Sequence, residues 1–442
     1  MLVSIAILYS LSLLWLMINH DKRMIVLIAA SLSFWGLSVA NIDISRISAV
    51  MALGYVVINY RYFLITKKIL FIVMFYLASL LILSLLSKIN GLPDVEGVNF
   101  GLAQHPDYRN WIHWIQRISF VSLFVLMFHK KFQQEIILLF LKGYILGITV
   151  QSLLAGYQLL AFKYSLPMWN YFSDSVIMFD FLRVNGLAGE PRHLASFILP
   201  SLFVLFFAYR KTSIIFSRKK ILYMIILQMT VLAMTFSSSG IVLFIVASAT
   251  ILISVILKPK NFLSIKKFAL IASSIFITIA AINTDYFNKR IFERVNYVNF
   301  VNSEFSTFAA IEVFQNKPEH VLIGLGVGIP AYYLRSTNSF QEGLWRNTNS
   351  TSEQLRDPNG LVLLLLESGL LGVVLLLFVI ILVNKRNSKK EREIFLPIKI
   401  FANMSILLSL VTYGVLSPMF MMSFGGVVLY FLGKEEVNFI TR

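Results

Sequence analysis

The chain contains no cysteine. Disulfides, thiolate metal ligands and cysteine nucleophiles are therefore excluded, and the redox compartment is left open. Charge is also scarce: 14% of the 442 residues are charged and 57% are hydrophobic. A soluble chain of this length needs far more polar surface to cover itself. No GxxxxGK[ST] pattern occurs, and the loops between apolar stretches that carry the basic residues are too short for a nucleotide-binding domain, which excludes an ATP-driven pump. Internal repeats and low-complexity tracts are absent, which disfavours transporter folds built on visible repeats. The first apolar stretch lacks a basic leader and ends at His20-Asp21-Lys22-Arg23, a stop-transfer flank rather than a signal-peptide cleavage site.

What remains is a series of long apolar runs. A bilayer span needs about 20 mostly apolar residues. By that measure spans are expected near 2–19, 24–41, 46–60, 69–87, 111–128, 136–161, 194–209, 221–237, 240–257, 268–283, 360–383, 398–416 and 419–433. The fold class expected is an all-α polytopic membrane protein, residues 1–442 forming one membrane domain with 12 or 13 transmembrane helices. The loops at 20–23, 61–68, 129–135, 210–220, 258–267 and 384–399, with the tail from 434, hold 24 Lys+Arg against six acids. The opposite loops hold 12 against 15. Positive charge gathers on the cytoplasmic side of membrane proteins. The expected orientation is thus N-terminus out and C-terminus in, and the net charge of +17 reports topology and lipid-headgroup contact rather than nucleic acid.

Three loops on the outer side are long: about 88–110, 162–193 and 284–359. The last is large enough for a small helical extracytoplasmic subdomain. Within it Ser303-Glu304 is expected to start a helix with an apolar stripe at Phe305, Phe308, Ile311 and Phe314, stopped by Asn316-Lys317-Pro318.

Three motifs can carry chemistry. The first, in the 162–193 loop, runs Arg183-Val-Asn-Gly186-Leu-Ala-Gly189-Glu190-Pro191-Arg192-His193. Its glycines and proline bend the chain so that charged side chains converge. Arginine forks suit phosphate oxygens, and Glu190 or His193 can take a proton from a hydroxyl. The alternative is an ordinary polar cap at a span end. The second, Gly324-Leu-Gly326-Val-Gly328, lacks the βαβ context of a dinucleotide site and reads as a tight turn approaching a ligand or another helix. The third is Asp357-Pro358-Asn359, followed by Glu367-Ser368-Gly369-Leu-Leu-Gly372. Glu367 lies about 10 Å inside its expected span, where a carboxylate costs a few kcal/mol unless it is paired or hydrated, roughly as translocon scales give. A buried structural hydrogen bond is the competing reading. Lys289, Arg290 and Arg294, with Arg183 and Arg192, would make a cationic rim suited to a lipid diphosphate.

In order and spacing these elements resemble the bacterial O-antigen and related polysaccharide polymerases, which group with the O-antigen ligases. The resemblance rests on Gly186, Glu190, Pro191 and Ala195, on Pro318 with Gly324, Gly326 and Gly328, and on Asp357, Asn359, Glu367, Gly369 and Gly372, with Thr235–Gly240 similar to the family's small-residue turn. It covers about 180–375. The chain departs from ligases in having Pro358 at the place of their histidine, and Ser239 stands where an arginine is common.

The resemblance implies a GT-C-like glycosyltransferase of the bacterial inner membrane, acting in lipopolysaccharide biosynthesis without metal or cofactor. Its active site would face the periplasm. It would transfer a growing glycan, with inversion, from undecaprenyl diphosphate to the next lipid-linked repeat unit, alongside a flippase and a chain-length regulator. Glu190, His193 and Asp357 would be catalytic; Arg183, Arg192, Arg290, Arg294, Asn359 and Glu367 would hold diphosphate and sugar. The alternatives are an O-antigen ligase and a lipid-linked oligosaccharide flippase or secondary transporter. Transporters place charged sites near the midplane between short loops; here only Glu367 and Lys142 are expected inside spans, and the outer loops are long.

The cysteine-free chain allows the orientation to be tested directly. Ser388→Cys should react with a membrane-impermeant maleimide only after spheroplasts are permeabilised, and Ser350→Cys in intact spheroplasts. The reverse pattern would invert the map.

Overall fold

The computed structural model describes residues 2–39, 42–90, 106–133, 135–167, 177–178, 181–211, 215–235, 305–340, 360–384, 395–408 and 418–440. Among the described residues the chain is overwhelmingly helical. Its described helices are α1 (Leu2–Ile18), α2 (Arg23–Ser31), α3 (Ile44–Ile58), α4 (Lys67–Asn90), α5 (Pro106–Leu126), α6 (Ile136–Lys163), α7 (Pro191–Lys211), α8 (Arg218–Met234), α9 (Phe305–Asn316), α10 (His320–Ile323), α11 (Pro330–Arg335), α12 (Gly360–Asn384), α13 (Phe395–Leu408) and α14 (Pro418–Ile440). Two-residue antiparallel pairs join β1 (Ser38–Val39) to β2 (Ile42–Asp43) and β3 (Ile177–Met178) to β4 (Phe181–Leu182).

Four of these helices contain stretches long and apolar enough to cross a membrane: Lys67–Leu86, Ile136–Lys163, Pro191–Tyr209 and Gly360–Asn384. Helix α4 leaves Leu70, Phe71, Met74, Phe75, Leu81, Ile82 and Leu85 exposed. An apolar surface of that extent suits lipid rather than water. Each expected span that falls within the described residues contains a helix, but only the four named above are long and apolar enough to cross a membrane; 236–237, 240–257, 268–283 and 409–416 lie outside the described residues. One span is shorter than its hydropathy suggests: the apolar run 24–41 is helical only to Ser31. There the hydroxyls of Ser31 and Ser33 bond back to the carbonyls of Ile28 and Ala30, and Gly36 follows in irregular chain. Serines that satisfy the backbone locally favour helix ends.

The chain divides into two compact units. The first comprises 1–48, 132–293 and 390–405. In it α2 packs closely on α6, because a Cβ on Gly143 would collide with Val26, and one on Gly147 would sit 2.5 Å from the Ala30 carbonyl oxygen. Small residues four apart let helix backbones approach this way. The Tyr144 hydroxyl donates to the Phe197 carbonyl of α7 at 2.8 Å, and its ring meets Phe401 of α13 edge-on at 4.6 Å.

The second unit comprises 49–131, 294–389 and 406–442. Its α5 and α14 meet through Phe124 and Phe424, with Gly425 against the Phe124 carbonyl. A small core joins α9, α11 and the first half of α12 around Ala309, Val313, Leu325, Tyr332, Phe340 and Leu366. Helix α9 stops at Asn316, as Lys317-Pro318 predicts, while its expected start at Ser303-Glu304 lies outside the described residues. Its buried face differs from the expected stripe. Ala309, Ala310 and Val313 are buried with Phe314 beside them, and Ile311 is 49% exposed. The Glu312 carboxylate accepts the backbone amides of Asn338 and Ser339 at 3.0 Å each, tying α9 to the segment after α11.

Gly147→Leu should lower stability by about 1–3 kcal/mol, the usual cost of overpacking a tight contact. Gly54→Ala, with nothing within 4 Å of the added carbon, should be neutral or slightly stabilising. Thermal unfolding in detergent micelles reads both, and an unchanged melting temperature for Gly147→Leu would contradict the close α2–α6 approach.

Candidate functional site

In the first unit, the segment leading into α7 is irregular and largely buried. Buried backbone amides need partners, and two glutamines of α6 supply them. Gln158 accepts the amides of Asn185 and Gly186 at 3.2 and 3.0 Å and donates to the Asn185 side-chain oxygen at 2.9 Å. Seven residues earlier, and so on the same helix face, Gln151 accepts the Leu187 amide at 2.6 Å. Its amide nitrogen donates to the Ser33 carbonyl at 2.7 Å. Gln151 thereby joins the 183–190 segment to the chain that follows α2. A backbone bond from Gly36 N to Leu187 O at 2.7 Å fixes the same contact. Gly186 has φ +55°, and a Cβ there would lie 2.5 Å from the Gln151 oxygen, so glycine is required on both counts.

This turn delivers Glu190, Arg192 and His193 to the first turn of α7. Pro191 opens the helix, where a missing N–H costs nothing. The Glu190 carbonyl accepts the amides of His193 and Leu194 at 3.1 Å each. The Glu190 carboxylate pairs with Arg192 Nε at 2.5 Å and lies 3.9 Å from His193 Nε2. His193 Nδ1 faces the Ala188 carbonyl at 3.3 Å, which assigns the ring proton to Nδ1 and leaves Nε2 as the atom that exchanges a proton on the Glu190 side. Arg192 is 58% exposed, Glu190 43% and His193 18%. The charged ends are open while the backbone beneath them is fixed. Arg183 Nε turns to the Thr235 carbonyl at the end of α8, at 3.3 Å, and Val184 N bonds Met234 O. Trp35 stands against His193, ring centroids 5.5 Å apart and nearly perpendicular.

Of the other expected site residues, Arg290, Arg294, Asp357 and Asn359 lie outside the described residues, as do Lys289 and 236–240. Glu367 belongs to the second unit, where it pairs with Arg117 of α5. The two side chains are 7% and 13% exposed. Arg117 falls inside the expected 111–128 span, so Glu367 and Lys142 are not the only charges within spans. The buried-pair reading of Glu367 is the one the geometry matches.

The glycine-rich motif lies against this pair. Helix α12 breaks at Gly369, with φ 61° and ψ −158°, a conformation reserved for glycine. The break frees carbonyls that a continuous helix would use. Leu325 N takes Leu366 O at 2.7 Å and Gly326 N takes Glu367 O at 3.0 Å. Gly328 N approaches the second carboxylate oxygen of Glu367 at 3.4 Å. With these amides engaged, the glycines serve helix packing rather than a phosphate cradle. Among the described residues the buried Tyr76 hydroxyl of α4 has no hydrogen-bond partner.

Arg117, Tyr76, Gln151, Gln158 and Trp35 were not marked by motif. The seven-residue spacing of two glutamines in an apolar run was the available signal. Among the described residues no group of three His, Asp or Glu side chains is placed to hold a metal ion. Comparison with known proteins finds no matching family model, no matching curated protein and no matching solved structure.

Removing one member of a buried ion pair strands the other. Glu367→Leu should cost about 3–5 kcal/mol, and the double variant Arg117→Met/Glu367→Leu should recover most of that loss. A double-mutant cycle on thermal stability in micelles reads the coupling. Additive losses would mean the pair is not formed.

Proposed function

We propose that the chain is a bacterial inner-membrane glycosyltransferase that polymerises lipid-linked oligosaccharide repeat units at the outer face of the membrane. One observation carries the reading. A solvent-exposed carboxylate and guanidinium sit beside a largely buried imidazole on a turn whose backbone is locked from below. The Gly186, Glu190, Pro191 and Ala195 pattern that resembles the polysaccharide polymerases is the pattern that builds this turn.

In this reading the sugar–phosphate bond of the undecaprenyl diphosphate donor breaks as an acceptor hydroxyl attacks the anomeric carbon from the opposite face. A new glycosidic bond forms with inversion. The acceptor proton passes to Glu190 or His193, and the diphosphate leaves with the bonding electrons. Arg192 and Arg183, with Arg290 and Arg294, stabilise the charge that develops on it. Arg192 would exchange Glu190 for the diphosphate, which frees the carboxylate as a base when the substrate arrives. Asp357 and Asn359 are assigned to orienting sugar. The apolar helices accommodate the isoprenoid tails.

A second reading, a lipid-linked oligosaccharide flippase or carrier, draws support from the break at Gly369 and the buried Arg117–Glu367 pair. Interrupted helices with internal charges are the usual site of transport. The two readings part in a strain lacking the gene. A lost polymerase leaves a single repeat unit on lipid A core, whereas a lost flippase traps lipid-linked units on the cytoplasmic face.

In that strain, Glu190→Gln should slow polymer formation by about 10²-fold or more, the usual contribution of a positioned base. Arg192→Ala should collapse the polysaccharide ladder towards single units. A full-length ladder with Arg192→Ala at normal protein level would remove Arg192 from diphosphate binding. Polymer that accumulates on undecaprenyl diphosphate, with none on lipid A core, would point to a ligase.

A further inference from the structure

The charged cluster at the start of α7 offers ionic and hydrogen-bonding groups but no apolar face of its own. Trp35 supplies one. Its indole stands 5.5 Å from the His193 ring at 68° and 5.3 Å from Phe197, one helical turn further along α7, at 70°. The residue is half-buried. Its position is held on both sides. The Ser33 carbonyl is fixed by Gln151, the Gly36 amide by Leu187, and Leu37 N closes on Phe34 O at 3.3 Å. A Cβ on Gly36 would lie 2.7 Å from Gly189 N, so the chain carrying Trp35 is pressed against the turn carrying Glu190.

A diphosphate needs only cations. A pyranose ring also presents a face of C–H groups with partial positive charge, which the negative face of an indole attracts, while its hydroxyl rim needs carboxylate and guanidinium partners. We propose that Trp35 is the stacking platform for the sugar ring next to the diphosphate of the lipid-linked repeat unit, beside the Glu190–Arg192 cluster. The assignment rests on the glycosyltransferase reading of this site and names what distinguishes a sugar-bearing diphosphate from a bare one.

The test uses membranes of the deletion strain carrying wild-type protein, Trp35→Phe or Trp35→Leu at matched levels. They are supplied with undecaprenyl-diphosphate-linked repeat units extracted from that strain. Leucine keeps apolar volume against Phe197 but removes the π face; phenylalanine keeps the face. Trp35→Leu should raise the half-saturating concentration about tenfold, the equivalent of about 1.4 kcal/mol, with kcat within about twofold. Trp35→Phe should stay within about threefold of wild type. Equal kinetics for the two variants would overturn the assignment and leave the polymerase reading intact. Wild-type membranes that lengthen nothing would sink the polymerase reading instead. Calorimetric binding of the released repeat oligosaccharide to purified protein then decides separately. Binding weakened by Trp35→Leu and kept by Trp35→Phe establishes the sugar platform without the reaction; no binding to wild type removes it.

Discussion

A single carboxamide holds the first unit's site together. Gln151 receives the Leu187 amide with its oxygen and gives its nitrogen to the Ser33 carbonyl. Those two groups belong to different stretches of irregular chain, one after a helix that stops early and one before α7. Each stretch closes only part of its own backbone, as in Leu37 N to Phe34 O and Ala188 N to Asn185 O, and the Leu187 amide and Ser33 carbonyl are met by Gln151. Placing both on one side chain makes each the other's support. The position of Trp35, the angle at which α7 begins and the direction of Glu190 all descend from that arrangement. An unmade bond in a buried setting costs about 1–3 kcal/mol per stranded group, so the bridge decides the local fold as well as stabilising it.

The second unit meets the same constraint by another route. Gly369 interrupts α12 and leaves the Leu366 and Glu367 carbonyls without helical donors. The amides of Leu325 and Gly326 fill the vacancy. Close approach is possible because Gly324 and Gly369 carry no side chains: a Cβ on Gly324 would lie 2.5 Å from the Glu367 backbone, and one on Gly369 would strike Leu322. Arg117 then neutralises the carboxylate that the break leaves in an apolar surrounding. Irregular backbone in apolar chains is tolerated where protein groups replace water. Side-chain amides do this in one unit, and backbone with an ion pair in the other.

How much of this the sequence discloses follows from the range of each interaction. Hydropathy is local, so α6 is legible to within a few residues, and Lys317-Pro318 marks the end of α9. The depth of Glu367 in an apolar run singles it out as a residue needing a partner. The partner itself is 250 positions away in the chain, and no local pattern names it. Helix α2 is cut short for a similar reason. Phe34 and Trp35 keep the run apolar, while the contact that makes an early end tolerable comes from Leu187 and Gln151. The misplaced stripe on α9 has a different cause. Its buried face is built largely from alanine, whose small side chain gives little contrast with the larger apolar residues left outside.

The division between fixed backbone and open charge is the feature most relevant to chemistry. Mobile charged side chains on a mobile loop would have to be gathered each time a substrate arrived, at an entropic cost. Here the ordering is done in folding, by Gln151, Gln158 and the positive-φ glycines, and only side-chain ends are left to move. Preorganised charge stabilises a developing anion more than charge that must reorient, because no reorganisation is required during the reaction. The Arg192–Glu190 pair fits that logic: its members satisfy each other at rest. On the proposed glycosyltransferase reading, a diphosphate that took the guanidinium would release the carboxylate at the same moment, so that anion binding and base activation would become one event.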